Sequence, residues 1–194
     1  MTRFVHLHVR SEFSLKDSIV RIDELVKAAA TAEMPAVGLC DLMNLYGLVK
    51  FYKAAQGKGI KPVFGADVVL VEGEERQYVT VLVMNDTGYR NLIQVVSRAY
   101  IEGQQLGEAL AQRSWLEQQA EGLIVLLGRH SDVGRALLGN DVQQATPLLQ
   151  RWIHGAKVRW GLHAEHRQSL GLPDAPEGNT WLFGLRRMLL GYAV

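Results

Sequence analysis

Over its first 150 or so residues the chain alternates short apolar runs with segments whose apolar side chains recur at helical spacing. Such alternation restricts a chain to the α/β class, with strands joined by helical crossovers. Phe4 to Arg10 alternates and predicts a strand, followed by a helix through Ile22, Leu25, Val26 and Ala29 that stops at Met34-Pro35. Ala36 to Cys40 has the continuous apolar character of a strand buried on both faces. Leu45, Leu48, Val49 and Tyr52 mark a second helix, ended by Gln56-Gly57-Lys58-Gly59. A strand over Pro62 to Val71, the turn Glu72-Gly73-Glu74-Glu75 and a strand over Tyr78 to Met84 predict an antiparallel pair. Tyr89, Leu92, Ile93 and Val96 form a helical stripe, and Leu123 to Leu127 another buried strand. Helices around Val133–Leu138 and Val142–Ile153 complete a mostly parallel sheet.

Composition narrows the functional classes. The 194 residues carry a formal net charge of +1 and are 48% hydrophobic, which excludes a disordered chain and a bulk polyelectrolyte binder. Cys40 is the single cysteine, so no intramolecular disulfide exists. No apolar run reaches the roughly 18 residues of a membrane span, and no signal-peptide core follows Met1, so a cytoplasmic location without membrane partners is expected. The charge is unevenly spread. Residues 151–194 hold six basic and three acidic groups, and three of the four Trp. Periodicity weakens there among glycines and prolines, returning only in an expected C-terminal helix over 180–192.

His6-Leu7-His8-Val9-Arg10 is the first place chemistry could sit. On a strand, residues 6, 8 and 10 share a face, and paired imidazoles are good ligands for Zn, Fe or Mn. Asp17, Asp41 and Asp67 could complete such a site, because α/β folds gather active groups at the carboxyl ends of strands. The plain alternative is a chance histidine pair and aspartates that cap helices. His163-Ala164-Glu165-His166 has no further ligands nearby in sequence and reads as surface histidine. Gly57-Lys58-Gly59 follows a helix instead of opening one, so it reads as a helix stop and not a phosphate loop. Lys50, Lys53 and Lys58 read as a solvated basic face, and Trp181-Leu182-Phe183 with Arg186-Arg187-Met188 as an apolar helix without its context.

Several blocks carry a more specific signal: residues 4–17 (Phe4-Val5-His6-Leu7-His8 onward), Met34 to Asp41, Asn44 to Tyr52, Gly59 to Asp67, Asn85 to Leu92 and Glu121 to Leu126. In order and spacing they resemble the PHP (polymerase and histidinol phosphatase) domain, in the form found at the N-terminus of bacterial replicative DNA polymerase III alpha subunits. The resemblance implies an incomplete PHP-type distorted (β/α)7 barrel with parallel strands and one hairpin. It implies residues 1–153 as a partial PHP domain and 154–194 as a divergent tail. A truncation, or a shift of reading frame after about residue 153, would produce such a change.

Active members of the family hold a trinuclear metal centre and hydrolyse phosphoesters, and the ligand set transfers poorly to this sequence. His8 fits one histidine of the first motif, whereas Arg10 replaces the other and cannot be deprotonated. Asp41 is kept, but Leu42 stands where the second motif has a histidine. Asp67 replaces a glutamate, and Arg129 stands near the position of a cysteine. His6, His8, Asp17, Asp41 and Asp67 are therefore expected to line a vestigial pocket, with Arg10 paired to Asp41 or Asp67 in place of metal. No cofactor is expected in this chain; Mg would serve the parent polymerase, and Zn, Fe or Mn only an active PHP site. The implied role is a scaffold for the rest of the polymerase core and the proofreading exonuclease subunit, with DNA reached through the parent protein. The alternative is a stand-alone metal-dependent PHP-type phosphoesterase.

Overall fold

A computed structural model describes residues 4–155 and 159–161. After an extended N-terminal segment comes a 3₁₀ turn, Glu12–Asp17, then α1 (Ile22–Thr31), β1 (Ala36–Leu42) and α2 (Leu48–Gly57). The hairpin of β2 (Lys61–Glu72) and β3 (Glu75–Val83) leads into α3 (Asp86–Glu102). Three two-residue strands follow, β4 (Gln104–Gln105), β5 (Glu108–Ala109) and β6 (Ala111–Gln112), then α4 (Arg113–Gln118) and β7 (Leu123–Leu127). α5 (Asp132–Leu138), α6 (Val142–Gly155) and β8 (Arg159–Gly161) close the described chain.

The main sheet runs in the order β1-β2-β3-β7-β8, with β6 beside the far end of β2. β1 pairs parallel with the first part of β2, from Ala36↔Lys61 to Leu42↔Asp67. The turn at Gly73, which has a φ of +63°, reverses β3 against β2, as its sequence predicts. β3 is also antiparallel to β7, and β7 is parallel to β8. One hairpin thus inverts one strand, while β1, β2, β7 and β8 all point the same way. Among the described residues the sheet remains open, as expected of a partial barrel.

Helices cover the sheet where the spacing predicts them. In α2 Val49 and Tyr52, and in α3 Tyr89 and Ile93, all expected on the apolar stripes, are nevertheless exposed. Each helix is turned so that Phe51 and Ala55, and Val95 and Ala99, face the core instead. Ile22, Val26 and Ala29 of α1 and Leu48, Phe51 and Ala55 of α2 bury against Val37 and Leu39 of β1. Leu92, Val95, Val96 and Ala99 of α3 bury against Val68, Leu70, Val79 and Val81 of the hairpin. Asn85 caps α3 by accepting a hydrogen bond from Gly88 N at 2.9 Å. Gly59 ends α2 at a φ of +66°, in agreement with a helix stop. α6 is anchored by Trp152, which is 1% exposed; its indole N–H donates to Asp132 at 2.9 Å, and the Arg113 guanidinium lies 4.1 Å from its ring centre.

One predicted strand is not regular. Phe4 to Arg10 runs beside β1, where His6 O accepts from Gly38 N at 2.7 Å and Val9 O accepts from Cys40 N at 2.8 Å. Three steps on the segment therefore match two on β1, and the extra residue breaks the ladder as a bulge does. A Cβ on Gly38 would lie 2.2 Å from Leu7 O, so this close approach requires glycine. The stretch between Gly103 and Gln118, with its short strands and α4, lacks a periodic signal long enough to be predicted.

Candidate functional site

Register alone brings the main candidates together. Leu42, Asp67, Thr80, Leu126 and Gly161 form one cross-strand row through β1, β2, β3, β7 and β8. Asp67 sits between Leu42 and Thr80 in this row and is 3% exposed. Its Oδ2 accepts from Arg10 Nε at 2.6 Å, and the same guanidinium brings Nη2 to 2.6 Å. His8 Nε2 lies 2.8 Å from that oxygen, and the Thr80 hydroxyl donates to Oδ1 at 2.6 Å. Burial by itself would raise the pKa of Asp67. The His8 and Thr80 hydrogen bonds and the Arg10 charge outweigh it and hold the carboxyl below its ordinary value.

Asp41, also buried, organises the neighbouring loop. Its Oδ1 accepts from Ser11 N at 2.6 Å and from the Ser14 hydroxyl at 2.7 Å, while Oδ2 accepts from the Ser11 hydroxyl at 2.7 Å. The Ser14 hydroxyl in turn accepts from Leu42 N at 3.1 Å. These bonds hold the 3₁₀ turn over the end of β1, including Leu15, whose φ of +50° is left-handed. Cys40, which precedes Asp41 on β1, is fully buried. Desolvation, reinforced by Asp67 and Asp41 against the opposing Arg10 charge, pushes its thiol well above the ordinary value.

The bulge decides which candidates meet. His8 and Arg10 reach Asp67, whereas His6 points away, exposed and edge-on to the Phe4 ring at 4.7 Å. The shared face of residues 6, 8 and 10 is thus reduced to 8 and 10. Of the two expected partners for Arg10, Asp67 takes the pair, because Asp41 is already filled by Ser11 and Ser14. Asp17 is exposed and stands 3.6 Å from Arg10. Leu42 is partly buried and packs against the main core, and Arg129 is exposed beyond β7. His163 and His166 lie outside the described residues.

Ser11, Ser14 and Thr80 belong to the site, yet no metal-ligand pattern singles them out. Thr80 was nonetheless countable: five residues either side of the Glu72↔Glu75 pair lie Asp67 and Thr80. Ser11 and Ser14 carry only the ordinary spacing of a turn.

Two observations bear on whether these residues suit a metal cluster. A guanidinium occupies Asp67 Oδ2, and hydroxyls and a backbone N–H occupy both Asp41 oxygens. Among the described residues no group of three or more His, Cys, Asp or Glu is arranged to hold a metal ion. The donor set present does not fit a multinuclear centre.

The model of the PHP domain family matches residues 6–159. The chain belongs to the PHP domain family. PHP-domain relatives named DNA polymerase III subunit alpha include that of Pseudomonas aeruginosa, 46% identical over 154 residues and 77% of this chain. That of Escherichia coli K12 is 47% identical over 140 residues, and that of Xylella fastidiosa Temecula1 is 37% identical over 178 residues. The chain spans only 12–15% of the length of these relatives. A second model, the fourth domain of the RecBCD enzyme subunit RecC, matches residues 141–194 and overlaps the end of the PHP match. Among solved structures, a metal-dependent phosphoesterase from Bifidobacterium adolescentis aligns with a TM-score of 0.47 at 13% identity, covering 95% of this chain and 94% of that one. An amidohydrolase from Chromobacterium violaceum aligns with a TM-score of 0.42 at 17% identity, covering 98% of this chain and 51% of that one. No described helix is long and apolar enough to cross a membrane.

Proposed function

We propose that this chain is a metal-degenerate PHP domain whose work in a DNA polymerase III alpha polypeptide is structural. The observation that carries the reading is the Arg10–Asp67 pair, 2.6 Å at two nitrogens, in the place where the family would hold a cation. A guanidinium is permanently charged and fixed to the chain, so it neutralises buried Asp67 without supplying a Lewis acid or an activated water. Residues 1–153 form the PHP unit in this reading, and 154–194 a separate tail. Its partners are the remainder of the polymerase core, which brings its own Mg and contacts DNA, and the proofreading exonuclease subunit. Its place is the cytoplasm.

Elemental analysis of the purified chain tests the metal part, with Zn, Fe and Mn all expected far below one equivalent. A stoichiometric metal, together with metal-dependent release of phosphate from a small phosphoester that is lost in His8→Ala, would establish a phosphoesterase instead. Capture of the exonuclease subunit by the immobilised chain tests the scaffold part.

A further inference from the structure

Beyond this scaffold role, and separate from the Asp67 network, the outer face of the sheet carries an aromatic seam. Phe64 and Asp67 are an odd number of residues apart on β2, so they project from opposite faces. The Phe64 ring lies 6.4 Å from Tyr52 of α2 and 6.5 Å from Tyr89 of α3, which sets both helices over this outer face. α2 carries the chain from the end of β1 to the start of β2, whereas α3 leaves the end of β3, beside the start of β2. The two helices therefore run antiparallel. Tyr52 and Tyr89 stand at one end of the seam between them, and Tyr46 and Tyr100 at the other. Burial and the adjacent Tyr46 push the Tyr100 phenol above its ordinary value, which places those two side chains together. Val49 and Ile93 lie between the ends.

The six flanking residues are 36–69% exposed. Together they present roughly 600 Å² of aromatic and aliphatic surface, at the upper limit of the largest such patch on an ordinary monomer. Charge on the seam is one-sided. Lys53, Lys58 and Arg90 are exposed at the Tyr52–Tyr89 end, and among the described residues they enter no ion pair. Asp86, in the first turn of α3, is the acid at that end. At the Tyr46–Tyr100 end, the helix charges nearest in sequence are already matched, Lys50 with Glu12 and Arg98 with Glu102.

This asymmetry selects the occupant. A single-stranded nucleic acid needs cations along its whole track, and the middle and far end of the seam offer none. A second copy, turned about a two-fold axis near the seam's midpoint, uses the charges as they stand. Lys53 and Arg90 then meet the ring faces of the partner's Tyr46 and the partner's Tyr100, and the same contact is made twice. Like charges of the two copies stay ~16 Å apart, the rise of α3 from Tyr89 to Tyr100. Two such faces bury about 1,200 Å², the size at which specific interfaces begin.

We infer that two copies of this chain pair through their α2–α3 seams, face to face about a two-fold axis near Ile93.

Sedimentation equilibrium of the full-length chain across the micromolar range tests the pairing, with the mass expected to rise from one chain to two. Ile93→Arg sets two cations against each other at the axis and should leave one chain at every concentration, with an unchanged melting temperature. Lys53→Glu with Arg90→Glu, both on the surface, should weaken association about tenfold or more. Under mild oxidation Ile93→Cys should cross-link two chains and Gln144→Cys, on α6, should not; Cys40 is fully buried and stays out of the reaction. A single-chain mass throughout overturns the inference. So does a dimer that persists in Ile93→Arg, which would place the contact elsewhere. Association unaffected by reversing Lys53 and Arg90 overturns the two-fold arrangement. Saturable binding of a labelled single-stranded oligonucleotide by a single chain, lost in Tyr52→Ala, overturns it in favour of nucleic acid.

Discussion

The Arg10 guanidinium meets Asp67 Oδ2 through both Nε and Nη2, each at 2.6 Å, across 57 residues of sequence. Arg10 comes from the irregular N-terminal segment and Asp67 from the middle of the longest strand. The pair therefore fastens the first part of the chain to the sheet.

Replacing Arg10 with Ala leaves a buried carboxylate with only His8 and Thr80 as partners. We expect a loss of about 2 kcal/mol, as for a charged hydrogen bond left unmade at a partly exposed site. Arg10→Lys should recover only part of it, because one ammonium cannot reproduce the two-nitrogen contact. Urea unfolding of the three proteins gives the comparison; an Arg10→Ala protein as stable as the parent would refute it.

Asp67 also sets a direction for pH dependence. Its folded carboxyl titrates below the unfolded value of about 3.9. The stabilisation it contributes is therefore complete above that value and disappears as pH falls through the folded one. Asp67→Asn should be less stable at neutral pH, and its stability should fall less steeply between about pH 4 and pH 2. Parallel acid limbs for the two proteins would contradict the assignment.

The loop over the end of β1 depends on Asp41. Removing the hydroxyls in Ser11→Ala with Ser14→Ala leaves Asp41 buried with one backbone donor, at a cost of about 2–3 kcal/mol. Hydrogen exchange should rise locally over residues 11–18, since Leu15 is held in a left-handed conformation by this network. Faster exchange spread evenly over the sheet, without a local maximum there, would speak against a loop-specific role.

Trp152→Ala should cost about 3–5 kcal/mol by opening a cavity beneath α6. Trp152→Phe keeps most of the volume and loses the indole donor to Asp132, for about 1 kcal/mol. Equal losses in the two variants, measured by chemical unfolding, would mean that packing contributes nothing beyond the hydrogen bond.

Most of the sheet was legible because its strands are continuous apolar runs and its one hairpin is punctuated by Gly73. The presence of α1, α2, α3 and α6 was equally readable from spacing, but the buried face of α2 and α3 was not, since Val49, Tyr52, Tyr89 and Ile93 are exposed. Phe4 to Arg10 misled, since period-2 alternation cannot reveal a backbone bulge. That bulge in turn separated His6 from His8 and Arg10. The aspartates were found by type and position, but which of them Arg10 would choose depended on Ser11 and Ser14 filling Asp41 first. Side-chain competition of that kind leaves no mark in residue spacing.

The carbonyls of His6 and Val9 take the outward-facing amides of Gly38 and Cys40, so the N-terminal segment seals the otherwise open flank of β1. Clipping the chain before residue 11 would expose a row of unpaired donors beside Val37 and Leu39. Bare strand flanks of that kind recruit other strands. Residues 4–10 thus serve solubility as much as the pocket, and preparations shortened by proteolysis should aggregate before they unfold.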